Sequence, residues 1–214
     1  MDEKLRNYLT RCLPSPAESV MDLEEEAARD RVPIMDPLGM DFVMQLIRLA
    51  KPERILEIGT AIGYSALRML EANPSAEIWT IEKDDAWYRR AEQNIQLRQK
   101  QDHIHVLYGD ALEKLETLSN VYFDLILIDA AKGKYQRFFE LAAPLLRSDG
   151  FILTDNVLFK GYVADKEKQH PRYQAIAEKL RAYNSWLVSH PDFTTTFVPI
   201  GDGIAISSKD GRKE

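Results

Sequence analysis

The sequence predicts an α/β fold in which a parallel sheet is covered on both faces by helices, with further helices added at the N-terminus. Three observations predict it. Strand-like and helical runs alternate from residue 54 to residue 155, the pattern of repeated βα units with right-handed crossovers. The run FDLILID, residues 123–129, is apolar nearly throughout, as a strand buried on both faces must be. Near the C-terminus, Gly201, Asp202 and Gly203 separate two strand-like runs, a hairpin signal that adds an antiparallel strand.

Taken in order, residues 2–12 place Leu5, Leu9 and Cys12 on one side of a helix. Ser15 before Pro16 reads as an N-cap with proline at the first helical position, opening an acidic helix to about residue 29. Asp36 before Pro37 repeats the device. Phe42, Val43, Leu46, Ile47 and Leu49 then recur at helical spacing until Pro52 ends the run. Strands are predicted at 54–58, 77–81, 103–107, 123–129 and 150–155, with helices at 65–71, 84–98, 110–118 and 135–146 between them. A polar loop, 156–169, leads into a helix over 171–189. The hairpin strands, 193–200 and 204–207, follow, and the chain frays from about residue 209. No repeat or low-complexity linker interrupts this order. One domain is expected over 1–214, with a helical segment to about 50 and an α/β core over about 51–208.

Composition narrows the class. Of 214 residues, 45% are hydrophobic and 29% charged, which suits a globular protein with one large core. No apolar run reaches the roughly 18 residues of a membrane span, and the N-terminus lacks a secretory h-region. A single cysteine, Cys12, rules out a disulfide framework, so a cytoplasmic location and no membrane partner are expected. The net charge of −6 argues against a globally basic nucleic-acid binder but not against a local basic patch.

Open α/β sheets bind ligands beyond the carboxyl ends of their strands, so the residues after each strand carry the functional reading. After the first comes EIGTAIGYS, residues 57–65. Gly59 and Gly63 bracket a tight turn, and Glu57 sits two residues before the first glycine. The middle glycine of G-x-G-x-x-G is missing, which disfavours a nicotinamide dinucleotide. The Glu57 carboxylate would repel a pyrophosphate and could pair with a cationic group. After the second strand, Glu82 can accept hydrogen bonds from a ribose diol, or can be a solvated acid or helix cap. After the third, Asp110 either caps the next helix or contacts an adenine edge. Asp129 follows the fourth, and Asp155 and Asn156 follow the fifth. These hard oxygen ligands suit magnesium. Lys132 lies three residues past Asp129. A neighbouring dication would disfavour its charged form, so it could act as a general base toward a hydroxyl; alone it reads as a surface lysine.

Three segments together resemble the class I, catechol-type O-methyltransferases that use S-adenosylmethionine and a divalent metal. They are LEIGTAIGYSAL (56–67), IDAAKGKY (128–135) and TDNVLFKG (154–161), and the resemblance runs from about residue 33 to 207. It implies a Rossmann-like, doubly wound sheet of seven strands with the last antiparallel. It further implies that Glu57, Gly59, Gly63 and Ser65 line the methionine end of the cofactor. Glu82 would hold the ribose, Asp110 and Ala111 border the adenine, and Met35 lie near the sulfonium. Asp129, also placed at the cofactor, would bind magnesium or another divalent cation with Asp155 and Asn156, and Lys132 would be the base. A homodimer is expected on the same ground.

Chelation requires two adjacent substrate oxygens, as in a catechol, a caffeoyl ester or a 5-hydroxyuridine. The segment 33–67 looks especially like bacterial tRNA 5-hydroxyuridine methyltransferases, so tRNA is the expected partner, with a small catechol as the alternative. Lys132, Lys134 and Arg137, with Lys160, Lys166, Lys168, His170 and Arg172, would form a basic rim for phosphates or be ordinary solvated charges. Tyr162 or Phe159 could stack on a flipped base or belong to the core.

Overall fold

A computed structural model describes residues 2–118, 121–165, 167, 170 and 173–209. Three helices come first: α1 (Glu3–Cys12), α2 (Glu18–Asp30) and α3 (Pro37–Ala50). The sheet then builds through β1 (Arg54–Ile58), α4 (Tyr64–Ala72), β2 (Glu77–Glu82), α5 (Asp85–Leu97), β3 (Ile104–Tyr108), α6 (Ala111–Thr117) and β4 (Phe123–Ile128). It continues through α7 (Tyr135–Ala142), β5 (Leu146–Thr154), α8 (Gln174–Val188), β6 (Phe193–Val198) and β7 (Ile204–Lys209). The seven strands lie in the order β3-β2-β1-β4-β5-β7-β6. β1 to β5 pair in parallel, and β7 runs antiparallel to both β5 and β6, with the Gly201–Gly203 turn at the hairpin's end.

Alternate residues of each strand feed opposite cores, which is the doubly wound arrangement in physical form. Leu56, Ile58, Ile126, Ile128 and Ile152 pack with Leu115, Phe138, Phe139, Leu180 and Leu187 of α6, α7 and α8. Ile55, Leu125, Leu127 and Leu153 pack on the other side with Leu23, Val43, Ile47 and Met69 of α2, α3 and α4. β1 and β4 are neighbours in the sheet yet their connections leave toward opposite edges, so the strand order reverses between them.

Some boundaries differ from expectation for identifiable reasons. The acidic helix α2 does not start at Ser15-Pro16; its N-cap is Ala17, which offers no side-chain oxygen. Its position comes from tertiary contacts instead. Leu23 is fully buried, the Tyr64 hydroxyl donates to Glu24 at 2.9 Å, Arg90 pairs with Glu26 at 2.5 Å, and Arg98 donates to the Ser19 carbonyl at 2.6 Å. The acidic face thus meets arginines within its own chain. Asp36 caps α3 as predicted, accepting from the Leu38 amide at 3.1 Å, and it also receives Arg6 from α1. α1 buries none of its residues: Leu5 and Cys12 of the expected apolar side are exposed. α7 stops at Ala142 because Pro144 has no amide to continue it, and a 3₁₀ turn (Ala143–Leu145) follows. β7 runs through Lys209, whose ammonium donates to the Leu146 carbonyl, so the fraying expected from about residue 209 does not begin there; residues 210–214 lie outside the described residues.

Candidate active site

A cavity of about 330 Å³ opens where the carboxyl ends of five parallel strands converge on the switch between β1 and β4. Of the residues singled out in the sequence, Met35, Gly59, Ser65, Glu82, Asp110, Ala111, Asp129, Lys132, Asp155 and Asn156 all line it. Glu57 and Gly63 do not. The sequence reading missed Tyr64, Lys83, Trp87 and Phe138, which also contribute to the wall. Trp87 sits one helical turn past Asp84, the N-cap of α5, so its place beside the β2 end was in principle readable from the βα pattern.

The glycine turn is built by contact as well as by conformation. Gly59 has φ +105°, and a Cβ there would lie 2.0 Å from the Asp129 carbonyl oxygen. The end of β1 thus touches the end of β4 through backbone. Gly63, at φ +85°, caps α4, and its nearest neighbours across the turn belong to Ala91 at 3.6 Å. Its role is to turn the chain, not to face the cavity.

Glu57 lies under the cavity floor. It is fully buried and pairs across the β1–β2 register with Thr80, whose hydroxyl donates to it at 2.6 Å. Ser65 donates to the other oxygen, and the Thr60 and Thr80 hydroxyls meet at 2.5 Å. Burial pushes its pKa up to about 7, against the pull of the two hydroxyls and with help from the charges of Asp129 and Glu82. The folded carboxyl therefore keeps its proton up to about pH 7, while the unfolded one releases it near 4.5. The folded state binds more protons in that window, so stability falls as pH rises through it and then levels off. The full effect is roughly 3 kcal/mol. Urea unfolding of Glu57→Gln beside the parent at about pH 4 and about pH 8 should show the variant gaining on the parent by that order. A difference that stays constant with pH would mean Glu57 is ionised throughout.

The remaining acids divide by environment. Glu82 is buried and already accepts from the amides of Ala61, Lys83 and Asp84, each at 2.9 Å, which fixes both oxygens at the β2 end. Asp110 caps α6 through the Leu112 amide at 3.0 Å and meets Lys134 at 3.2 Å; these hold its pKa below the usual value. Its capping role and its place on the cavity wall coexist. Asp129 and Asp155 behave oppositely. Burial pushes both upward, Asp129 further raises Asp155, and Lys132 partly offsets both. Asn156 sits at φ +57°, a left-handed conformation that asparagine tolerates. Its amide donates to Asp155 at 2.9 Å, and its carbonyl oxygen accepts from the Lys132 ammonium at 2.5 Å.

A buried acid and a half-buried one, opposed by one half-buried lysine, leave a site short of positive charge. Their oxygens and the Asn156 amide are hard donors, which fit a small dication. No third carboxylate, histidine or cysteine joins them among the described residues, so further positions would fall to water or substrate.

The basic rim is less open than its sequence suggests. Lys134 is engaged by Asp110 and Arg137 by Glu140 at 3.5 Å. Phe159 is 7% exposed and belongs to the core, which removes it as a stacking surface; Tyr162 is half-buried. Lys160 lies 5.8 Å over the Tyr173 ring, on which His170 stacks at 4.2 Å. Lys166, Lys168 and Arg172 lie outside the described residues.

A seven-stranded doubly wound sheet with an antiparallel β7 and a cavity at its switch point, walled by Glu82, Asp110 and a glycine turn, defines a Rossmann-like methyltransferase. The chain belongs to the O-methyltransferase family, whose model matches residues 15–210. It is similar to a Staphylococcus aureus protein described as a caffeoyl-CoA O-methyltransferase, with 36% identity, a TM-score of 0.87, and 97% of this chain and 98% of that one covered. An O-methyltransferase from Bacillus cereus, solved in complex with SAH, aligns at 25% identity and TM-score 0.83, covering 97% of each chain. The catechol O-methyltransferase of Niastella koreensis is 26% identical over 98% of this chain and 94% of its own. The chain is an S-adenosylmethionine-dependent O-methyltransferase of the caffeoyl-CoA and catechol type. No helix among the described residues is long and apolar enough to cross a membrane.

Proposed function

We propose that this enzyme is magnesium-dependent, that it methylates a hydroxyl adjacent to a second oxygen, and that its substrate is 5-hydroxyuridine in tRNA, which becomes 5-methoxyuridine. The observation that carries the chemistry is the meeting of Asp129, Asp155, Asn156 and Lys132 on the wall of one cavity. Asp129, Asp155 and Asn156 would hold the cation. Bound there, magnesium supplies Lewis acidity that lowers the pKa of the substrate hydroxyl. Lys132 would accept the hydroxyl proton at Nζ. S-adenosylmethionine, when bound, would supply the methyl group to the substrate oxygen and leave as S-adenosylhomocysteine. Met35, Gly59 and Ser65 would flank the methionine half of the cofactor, and Glu82 would accept from the ribose hydroxyls on lone pairs its three backbone donors leave.

The tRNA reading draws on the aromatic group that follows Asn156. Tyr162 and Tyr173 meet edge to face at 5.3 Å, His170 stacks on Tyr173, and Lys160 lies across that ring. An aromatic group with a cation, in the segment that follows Asn156, suits an unstacked base and its phosphate. The test offers purified protein S-adenosylmethionine and magnesium with tRNA carrying 5-hydroxyuridine and, separately, a simple catechol. The expected result is 5-methoxyuridine by nucleoside mass spectrometry, abolished by EDTA. Methylated catechol beside untouched tRNA would overturn the substrate and keep the chemistry.

A further inference from the structure

One wall of the cavity, carrying Pro33, Ile34 and Met35, is the short connection between α2 and α3. Its far end is fixed at Asp36, which caps α3 and receives Arg6. Its near end follows α2: Arg31 closes that helix at φ 55°, and the Val32 amide turns back to the Ala27 carbonyl at 2.9 Å. Side chains of α4 and α5 tie α2 in place. Arg98 reaches the Ser19 carbonyl, Arg90 pairs with Glu26 and Asp30, and Tyr64 donates to Glu24. Arg90 lies on α5 and Arg98 caps it, and neither lines the cavity. Tyr64 does. It follows Gly63 at the start of α4, is 2% exposed, and faces the ligand space while its hydroxyl holds Glu24 at 2.9 Å. Buried hydroxyls seldom go unpaired, so the Tyr64 ring is kept where Glu24 can accept from it. A single hydrogen bond thus joins the glycine-turn wall of the cavity to the helix that carries the opposite wall.

We infer that Glu24, acting through Tyr64, is a positioning residue for S-adenosylmethionine: their hydrogen bond sets the glycine turn and the 33–35 segment at the spacing the cofactor occupies. This rests on the placement of the cofactor in that cavity proposed above. A wall set when the chain folds need not be ordered again when the ligand arrives, and that saving appears as affinity.

Isothermal titration calorimetry with S-adenosylhomocysteine as the probe, without substrate or metal, tests this. Glu24→Ala and Tyr64→Phe should each raise its Kd about 10-fold, the lower end of what a hydrogen bond to a charged group supplies. Glu24→Gln keeps an acceptor oxygen and should bind nearly as tightly as the parent. Adding Glu24→Ala to Tyr64→Phe should cost no further affinity, because the two side chains share one bond. Arg90→Gln, which loosens α2 from α5 away from the cavity, should lower the thermal midpoint and leave the Kd unchanged. Unchanged affinity in Glu24→Ala or in Tyr64→Phe would overturn the inference, even beside a lower thermal midpoint, since the bond would then serve the fold alone. An equal loss of affinity in Arg90→Gln would overturn it as well, by showing that any loosening of α2 has the same effect. A parent protein that binds no S-adenosylhomocysteine would overturn the cofactor site itself, and the inference with it.

Discussion

Lys132→Ala should lower kcat by about 10²–10⁴-fold, the range a positioned general base contributes, while the KM for S-adenosylmethionine changes little. Three lysines line the cavity, and their surroundings separate them. Lys134 is held by Asp110, and Lys83 follows Glu82 at the β2 end. Only Lys132 reaches the Asp155–Asn156 corner, with its Nζ 2.5 Å from the Asn156 carbonyl oxygen. Lys132→Arg should be as inactive as the alanine variant, because a guanidinium keeps its proton and cannot accept another. Lys134→Ala should retain most activity. Single-turnover rates with whichever substrate is accepted measure all three. Full activity in Lys132→Ala would remove the lysine from the mechanism and leave the family assignment intact.

Gly59→Ala should cost stability as heavily as any single change in the chain. A left-handed backbone position costs an alanine about 1–3 kcal/mol. Overpacking adds about as much again, since the new Cβ would lie 2.0 Å from the Asp129 carbonyl oxygen, which cannot move without β4. A total of roughly 4 kcal/mol lowers the thermal midpoint by about 10 °C in a protein of this size. Gly63→Ala provides the control. There the nearest atoms stand at an ordinary 3.6 Å, so only the backbone term of about 1–3 kcal/mol applies. Calorimetry of the two variants should separate them clearly. Equal losses would mean that the β1–β4 contact yields easily.

The strands were legible in the sequence to within a residue or two, except that β5 starts four residues early, at Leu146. Apolar runs such as FDLILI end where an aspartate or glycine must face the cavity, and that change of chemistry marks the strand end. The same logic located ten of the twelve singled-out residues on the wall of one cavity, because a parallel sheet delivers every strand's carboxyl end to one edge. What spacing could not reveal were relationships set by register and packing. Glu57 reads as a loop-side acid until the β1–β2 register sets it opposite Thr80, which turns it into a buried hydrogen-bonded group. Tyr64 gives no sign in its local pattern that it joins α2 to the cavity wall. The Ser15-Pro16 cap failed because burial of Val20, Leu23 and Ala27 decides where α2 lies.

The insertion of β7 between β5 and β6 constrains when this enzyme can come into being. As the chain emerges from a ribosome, β1 to β5 can zip together in order of neighbourhood, and the residues of those strand ends that line the cavity are all present once Asn156 is out. β6 then appears with nothing to pair against, because its only neighbour in the sheet is β7. The exposed edge of β5 waits for the same residues, 204–209. A nascent chain stalled before that point carries a complete set of site residues on an unfinished sheet with an open apolar edge, the kind of surface that invites aggregation. Completion of the sheet therefore waits on a short segment that contributes nothing to the cavity.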